Sequence, residues 1–223
     1  MKRMFVCLVL LFLLPSCASM NVNREFDANQ NTFISTRWPN IKIKINPDLK
    51  FIGEINSKQG LRNSDDLSGT SAKNQYFVFA KGNISLEKFF IITISQLQKG
   101  YYWKELFYDD EFNIKKQNTK INGDRYQGVI RIFGPRIFNQ DVSDCLIKNG
   151  FYVENTYLTK RIGKRIKNKE IKVYMDYGLA MNEANSVINN WTAGNGFNEE
   201  QRKCLKNIEY DFLNDIEIVE NNQ

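Results

Sequence analysis

The apolar positions of this chain begin with one unbroken run, Phe5 to Leu14, and thereafter recur mainly with period two. Ile41, Ile43 and Ile45 alternate with Lys42 and Lys44, as in a strand with one buried and one wet face. Asn46-Pro47-Asp48 supplies a turn, since proline presets the φ of a turn's first central position, and Phe51 to Ile55 is predicted to return as the partner strand. Asn56 to Asn74 has no apolar period, and its Ser, Gly, Asn and Asp content predicts a long loop. Strands resume over Gln75 to Ala80 and Lys88 to Gln98. In the second, Phe89 to Ile94 is dense in β-branched and aromatic residues, which disfavours the alternative of a helix. Tyr101-Tyr102-Trp103 is predicted to run on as a strand to about Tyr108, ending at Asp109-Asp110-Glu111.

Asn122-Gly123, set between two strand-like segments, predicts a tight hairpin whose second arm runs to Phe133 and stops at Gly134-Pro135. A short helix follows, capped by Asn139 and ended by Gly150; Val142, Cys145 and Leu146 share one of its faces, so Cys145 is expected to point inward. Phe151 to Thr159 and Glu170 to Tyr177 read as a further strand pair. Met181, Ala184, Val187, Ile188 and Trp191 then lie at helical spacing, and Gly194-Asn195-Gly196 breaks that helix. Asn198 caps another, with Gln201 completing a capping box and Cys204, Leu205, Ile208, Phe212, Leu213 and Ile216 as its apolar stripe. The fold class expected is α+β: an antiparallel meandering sheet of about seven or eight strands, one short internal helix, and two C-terminal helices packed on one face.

The first apolar run changes the setting of everything behind it. Lys2 and Arg3 precede it, small residues close it, and it is shorter than the roughly 20 residues a membrane-spanning helix needs, which is the layout of an export signal. Leu14, Ser16 and Cys17 resemble a bacterial lipobox. The resemblance implies that residues 1–16 are removed and that Cys17 becomes a diacylated, palmitate-bearing N-terminus. With Ala18 next, it implies sorting to the outer membrane, facing the periplasm, if the envelope is Gram-negative. On that reading residues 17–37, polar and Asn-rich, form a lipidated flexible tether, and residues 38–223 form a single α+β domain. Two or three acyl chains, at about 0.8 kcal/mol per buried methylene, anchor a protein durably where one does not. Two alternatives stand: cleavage after Ala18 to release a soluble secreted protein, and an uncleaved anchor, for which the run is short.

About 200 residues then remain, enough for one domain with a substantial core. The formal charge of +6 includes Lys2 and Arg3; without them 29 basic face 25 acidic residues, a mild +4 that gives no argument for nucleic acid. The chain has no histidine, which removes Ser-His-Asp and Cys-His catalysis and the commonest transition-metal ligand. Neither a cofactor nor a metal is expected. Asn63-Ser64-Asp65-Asp66 with Gly69 invites a calcium reading, but the glycine does not fall where an EF-hand loop needs it. Cys145 and Cys204 are the cysteines left beyond Cys17, and in an oxidising envelope they are expected to pair; closing a loop of about 60 residues stabilises by roughly 4 kcal/mol. Two buried free thiols are the alternative.

Candidate chemistry is sparse. Seven basic residues fall between Lys160 and Lys172, and six of them, Lys160, Arg161, Lys164, Arg165, Lys167 and Lys169, could touch anionic head groups or an acidic envelope polymer at about 1 kcal/mol per cation; at a hairpin tip they would equally keep an edge soluble. Tyr101 and Trp103 on one strand face, beside Asp109, Asp110 and Glu111, could serve a cell-wall glycan hydrolase; aromatics more often bury than bind. The expectation that follows is a lipid-anchored cell-envelope protein whose domain binds or scaffolds a membrane, envelope-protein or acidic-polymer partner without chemistry of its own.

Overall fold

The computed structural model describes residues 23–62, 69–107, 112–121, 123–133, 138–153, 155–181, 191 and 196–220. Among these, eleven strands form two antiparallel sheets and two helices accompany them. Strands β1 (Arg24–Asp27), β2 (Thr32–Thr36), β3 (Asn40–Ile45) and β11 (Ile216–Glu220) build a four-stranded sheet in the order β1-β2-β3-β11. Strands β4 (Lys50–Arg62), β5 (Gly69–Lys81), β6 (Lys88–Leu97), β7 (Asn113–Ile121), β8 (Asp124–Phe133), β9 (Tyr157–Ile166) and β10 (Ile171–Ala180) build a seven-stranded sheet in the order β4-β5-β6-β10-β9-β8-β7. The helices are α1 (Gln140–Lys148) and α2 (Glu199–Asp215). The fold is mostly sheet and its strands divide between two layers, which corrects the expectation of one meandering sheet.

The alternation in β3 is a genuine strand signal: Ile41, Ile43 and Ile45 are buried while Lys42 and Lys44 face outward. Its partner differs from the predicted one, however. Ile43 pairs with Phe33 of β2 on one side and with Ile218 of β11 on the other. The Asn46-Pro47-Asp48 turn forms, closed by the Leu49 amide donating to the Asn46 carbonyl at 2.9 Å, but it passes the chain from one sheet to the other. A turn signal says where a strand ends; it does not say which strand it pairs with.

Residues 24–36, read as tether, are β1 and β2. Phe33 is fully buried against Phe77, with ring centres 4.7 Å apart, and Phe26 packs on Phe51 and Phe79. So few apolar residues carry this hairpin that a polar composition concealed it. The long loop expected over 56–74 is also corrected, since β4 and β5 pair in register from Lys50↔Ala80 to Arg62↔Gly69. Main-chain hydrogen bonding is indifferent to side-chain polarity. The Asn-Gly hairpin does form, with Ile121 opposite Asp124 and Gly123 at φ +85.

Two apolar clusters occupy the two faces of the large sheet. One, from Phe77, Phe90, Ile92, Val173, Met175 and Tyr177, is shared with the small sheet and with α2 through Ile208 and Phe212. The other, from Val78, Phe89, Ile91 and Tyr157, lies under Val142 and Leu146 of α1. Both helix caps form as the sequence predicts: Asn139 accepts from the Val142 amide at 2.9 Å, and Asn198 with Gln201 makes a reciprocal capping box. The predicted stripe of α2 fails at its end, where Leu213 is 70% exposed and Ile216 already starts β11. The expected helix around Met181 to Trp191 lies mostly outside the described residues.

Cys145 and Cys204 are free thiols, each half-buried. Cys145 sits on α1, next to Gly53 of β4, and Cys204 sits on α2 against the opposite cluster. With the large sheet between them they cannot reach the roughly 7 Å Cα separation a disulfide tolerates, so the expected bond is corrected.

Candidate functional site

Strand β10 alternates cleanly. Ile171, Val173, Met175 and Tyr177 point into the core shared by the sheets, which sends Lys172, Tyr174 and Asp176 to the other face. Register then sets their neighbours in rows. Lys172 lies between Ser95 of β6 and Arg165 of β9, Tyr174 between Thr93 and Gly163, Asp176 between Ile91 and Arg161, and Gly178 between Phe89 and Thr159. β5 lengthens the rows with Asn74, Tyr76, Val78 and Ala80. This face therefore grades from apolar, at Ala80, Phe89 and Gly178, to polar, at Asn74, Ser95, Lys172 and Arg165.

Each end has its own cover. α1 closes the apolar end through Val142 and Leu146. Residues 98–107 cross the polar end as an irregular strap, which corrects the strand predicted over Tyr101 to Tyr108. The Trp103 amide donates to the Lys169 carbonyl at 3.0 Å, the Arg165 guanidinium donates to the Trp103 carbonyl at 3.2 Å and to that of Lys104, and the Tyr174 hydroxyl donates to the Leu106 carbonyl at 2.8 Å. Phe107 stacks on Tyr174 at 5.8 Å. These bonds secure the strap through its backbone, and its aromatic side chains Trp103 and Phe107 line the space beneath it.

Between the covers is a hollow of about 410 Å³, whose lining includes Tyr76, Trp103, Arg131, Arg161, Lys172 and Asp176. Arg161 grips Asp176 with two nitrogens, at 2.5 and 3.0 Å, in the bidentate geometry that makes guanidinium–carboxylate pairs strong and directional. Lys172 is 2% exposed, and its ammonium lies 4.0 Å from the centre of the Trp103 ring and 5.7 Å from that of Tyr174. Burial pulls its pKa down to about 8; the neighbouring Arg165 and Arg161 add to the effect and Glu105 opposes it. The Ser95 hydroxyl donates to Asn74 at 2.5 Å, and Asn139 donates to the Tyr76 hydroxyl at 2.5 Å. The buried indole N–H of Trp103 meets no acceptor among the described residues. Among the described residues, three cations, Arg131, Arg161 and Lys172, share this lining with the carboxylate of Asp176. Such a site can hold a negative group against aromatic walls.

The predicted basic run does not form one surface, because strand alternation splits it. Lys160, 3% exposed, turns to the core side, pairs with Glu209 and lies 4.8 Å from the Phe212 ring. Lys164 does likewise with Asp124 and the Tyr126 ring. Arg161 and Arg165 take the other face, and Lys167 on the β9–β10 turn pairs with Glu170 at 3.3 Å. Lys169 is exposed on that turn. What gathers outside is a shallow groove of about 580 Å³, where Lys164, Arg165 and Lys169 meet Lys120 and Arg125 from the β7–β8 hairpin.

Tyr101 and Trp103 share a strap, not a strand face. Cys17, the Asn63 to Asp66 run and Asp109 to Glu111 lie outside the described residues. Among the described residues no group of three or more His, Cys, Asp or Glu side chains gathers as a metal site. Sequence reasoning missed Arg131 and Asp176 as site residues. A signal existed in β10, where Lys172 and Asp176 interrupt apolar positions at strand spacing. No known protein family, curated protein or solved structure matches this chain.

Proposed function

We propose that this is a lipid-anchored cell-envelope protein, held to a membrane at Cys17, whose folded part is a non-catalytic binding module with the hollow on the large sheet as its ligand site. The anchor rests on the lipobox-like Leu14 to Cys17. The observation that carries the binding site is the placement of Arg131, Arg161, Lys172 and Asp176 in a concave, aromatic-walled lining, where burying charge is costly unless something is gained by it. Asp176, a carboxylate of that lining, is engaged by Arg161, an arrangement suited to shaping a site. Metabolic labelling with a palmitate analogue tests the anchor: label on the wild type and none on Cys17→Ser is expected, and equal labelling of both would overturn it.

An acidic polymer or anionic membrane surface fits the outer groove, where Lys120, Arg125, Arg165 and Lys169 lie close together. Reversing Lys120 and Lys169 to Glu is expected to weaken retention on anionic vesicles and to flatten its salt dependence; unchanged retention would remove the groove from the reading.

A further inference from the structure

We infer that the end of the domain beside Asn23 is its membrane-facing surface, with Tyr101 and Tyr102 at head-group level and the lysines and arginines around them on anionic lipid phosphates. This rests on the reading of Cys17 as a lipid anchor and adds which face of the domain meets the bilayer. Reach is the first argument. Because β1 begins at Arg24, five residues separate Cys17 from Asn23, and even fully extended that segment spans about 20 Å. β10 alone is ten residues long, roughly 33 Å by strand rise. With the far end of the large sheet on the head groups, Asn23 would stand beyond the reach of its own anchor.

Contacts identify the segments that share the near end. The Thr36 amide donates to the Asn23 carbonyl at 3.0 Å, and two residues on, the Trp38 ring has the Lys167 ammonium 4.7 Å from its centre. Lys167 belongs to the β9–β10 turn, where the Lys169 carbonyl holds the Trp103 amide of the strap, and Lys164 ties in the β7–β8 hairpin through Asp124. Residues 98–105, 120–125 and 164–170 therefore gather beside the N-terminal exit.

Charge and exposed aromatic rings select the partner. The three segments carry eight lysines and arginines against Glu105, Asp124 and Glu170, and the last two acids pair with Lys164 and Lys167. Counting Asp65 and Asp66, which the sequence sets between β4 and β5, leaves the balance positive. Lys99, Lys104, Lys120, Arg125 and Lys169 are exposed, and Tyr101 and Tyr102 are 39% and 61% exposed among them. A phenol, apolar in its ring and polar at its tip, suits the boundary of head groups and acyl chains, and the cations suit an anionic leaflet. The far end is the competing face, since Ile84 and Tyr152 are exposed there. The strap that carries both tyrosines also covers the polar end of the hollow, which turns that end of the hollow toward the bilayer.

The test is hydrogen exchange, read by mass spectrometry, on the lipidated full chain bound to vesicles of phosphatidylcholine with phosphatidylglycerol and to vesicles of phosphatidylcholine alone. Slower exchange on the anionic vesicles is expected over 99–104, 120–125 and 167–169, with no change over 82–85 and 147–152. In Lys99→Gln the added protection is expected to fall about 5-fold, the weight of one cation at an anionic surface. Lys148→Gln, equally exposed but on the last turn of α1 at the far end, should leave it unchanged. Protection at the far end instead, or at neither end in a chain that sediments with the vesicles, would overturn the orientation while leaving the anchor. Equal protection on both vesicles, or equal losses from the two lysine variants, would overturn the assignment to anionic lipid. A wild-type chain that sediments with neither vesicle would overturn the anchor, and the inference with it.

Discussion

The ammonium of Lys172 lies 4.0 Å above the Trp103 ring, buried to 2% exposure, with Arg161 and Arg165 as electrostatic neighbours. Its folded pKa of about 8 is below the ordinary 10.5. Below pH 8 both the folded and the unfolded chain hold the proton and the burial penalty is complete. Between about 8 and 10.5 the folded chain has lost a proton that the unfolded chain keeps, so stability rises with pH across that window. Lys172→Met is expected to raise the unfolding free energy at pH 7 by about 2 kcal/mol and to flatten that rise. Urea denaturation of both proteins from pH 7 to 10.5 checks it, and a variant less stable at pH 7 would contradict the argument.

Asp215, the last residue of α2, accepts from the Tyr177 hydroxyl at 2.5 Å, from Lys88 at 3.1 Å and from the Asn46 side chain at 2.8 Å. The site ties the helix end to β10, to β6 and to the turn between the sheets. Burial and the carboxylate hold the Tyr177 phenol well above its ordinary range. Asp215→Ala is expected to destabilise by about 3 kcal/mol, because it leaves the buried Tyr177 hydroxyl and the half-buried Asn46 amide without this acceptor and Lys88 with Asp211 alone, and Tyr177→Phe by about 1 kcal/mol. Equal effects from the two, measured by chemical denaturation, would mean that Asp215 acts through the tyrosine alone.

Gly178 is required by its neighbour. A Cβ there would fall 2.2 Å from two ring carbons of Phe89, which is itself fully buried between Tyr157 and Phe138. Gly178→Ala should lower stability by about 2–3 kcal/mol as an overpacking defect. Adding Phe89→Leu should recover part of that loss, giving a favourable coupling energy in a double-mutant cycle; simple additivity would count against the clash.

With Cys145 and Cys204 on helices at opposite faces of the large sheet, the thermal midpoint should not respond to reductant. Scans with and without dithiothreitol are expected to coincide, and alkylation of the denatured protein without reductant should modify both thiols. A drop in midpoint on reduction would mean that the two helices lie together in the folded chain.

Legibility followed the range of the interaction that decides each feature. The caps at Asn139 and Asn198, the alternation of β3 and the Asn-Gly turn are local, and all appear as read. The pairing of β3 with β2 and β11 joins residues far apart in the chain, and no local pattern announces it. The polar arms of β4 and β5 show the same limit: their composition belongs to a loop, yet the main-chain ladder makes them a hairpin whose Asn74 faces the hollow.

By itself the sequence determined the positions of the turns and caps, the strand character of most of the chain, the absence of histidine chemistry and the export-like start, because each depends on residues within a few positions of one another. Tertiary structure alone decided which strands meet, that one basic run divides between two faces, and that Lys172, Arg161 and Asp176 line one hollow with Trp103. Side-chain direction in a strand reverses at every residue. Sheet register therefore decides whether neighbouring charges in the chain become neighbours in space, and register is set by partners many tens of residues away.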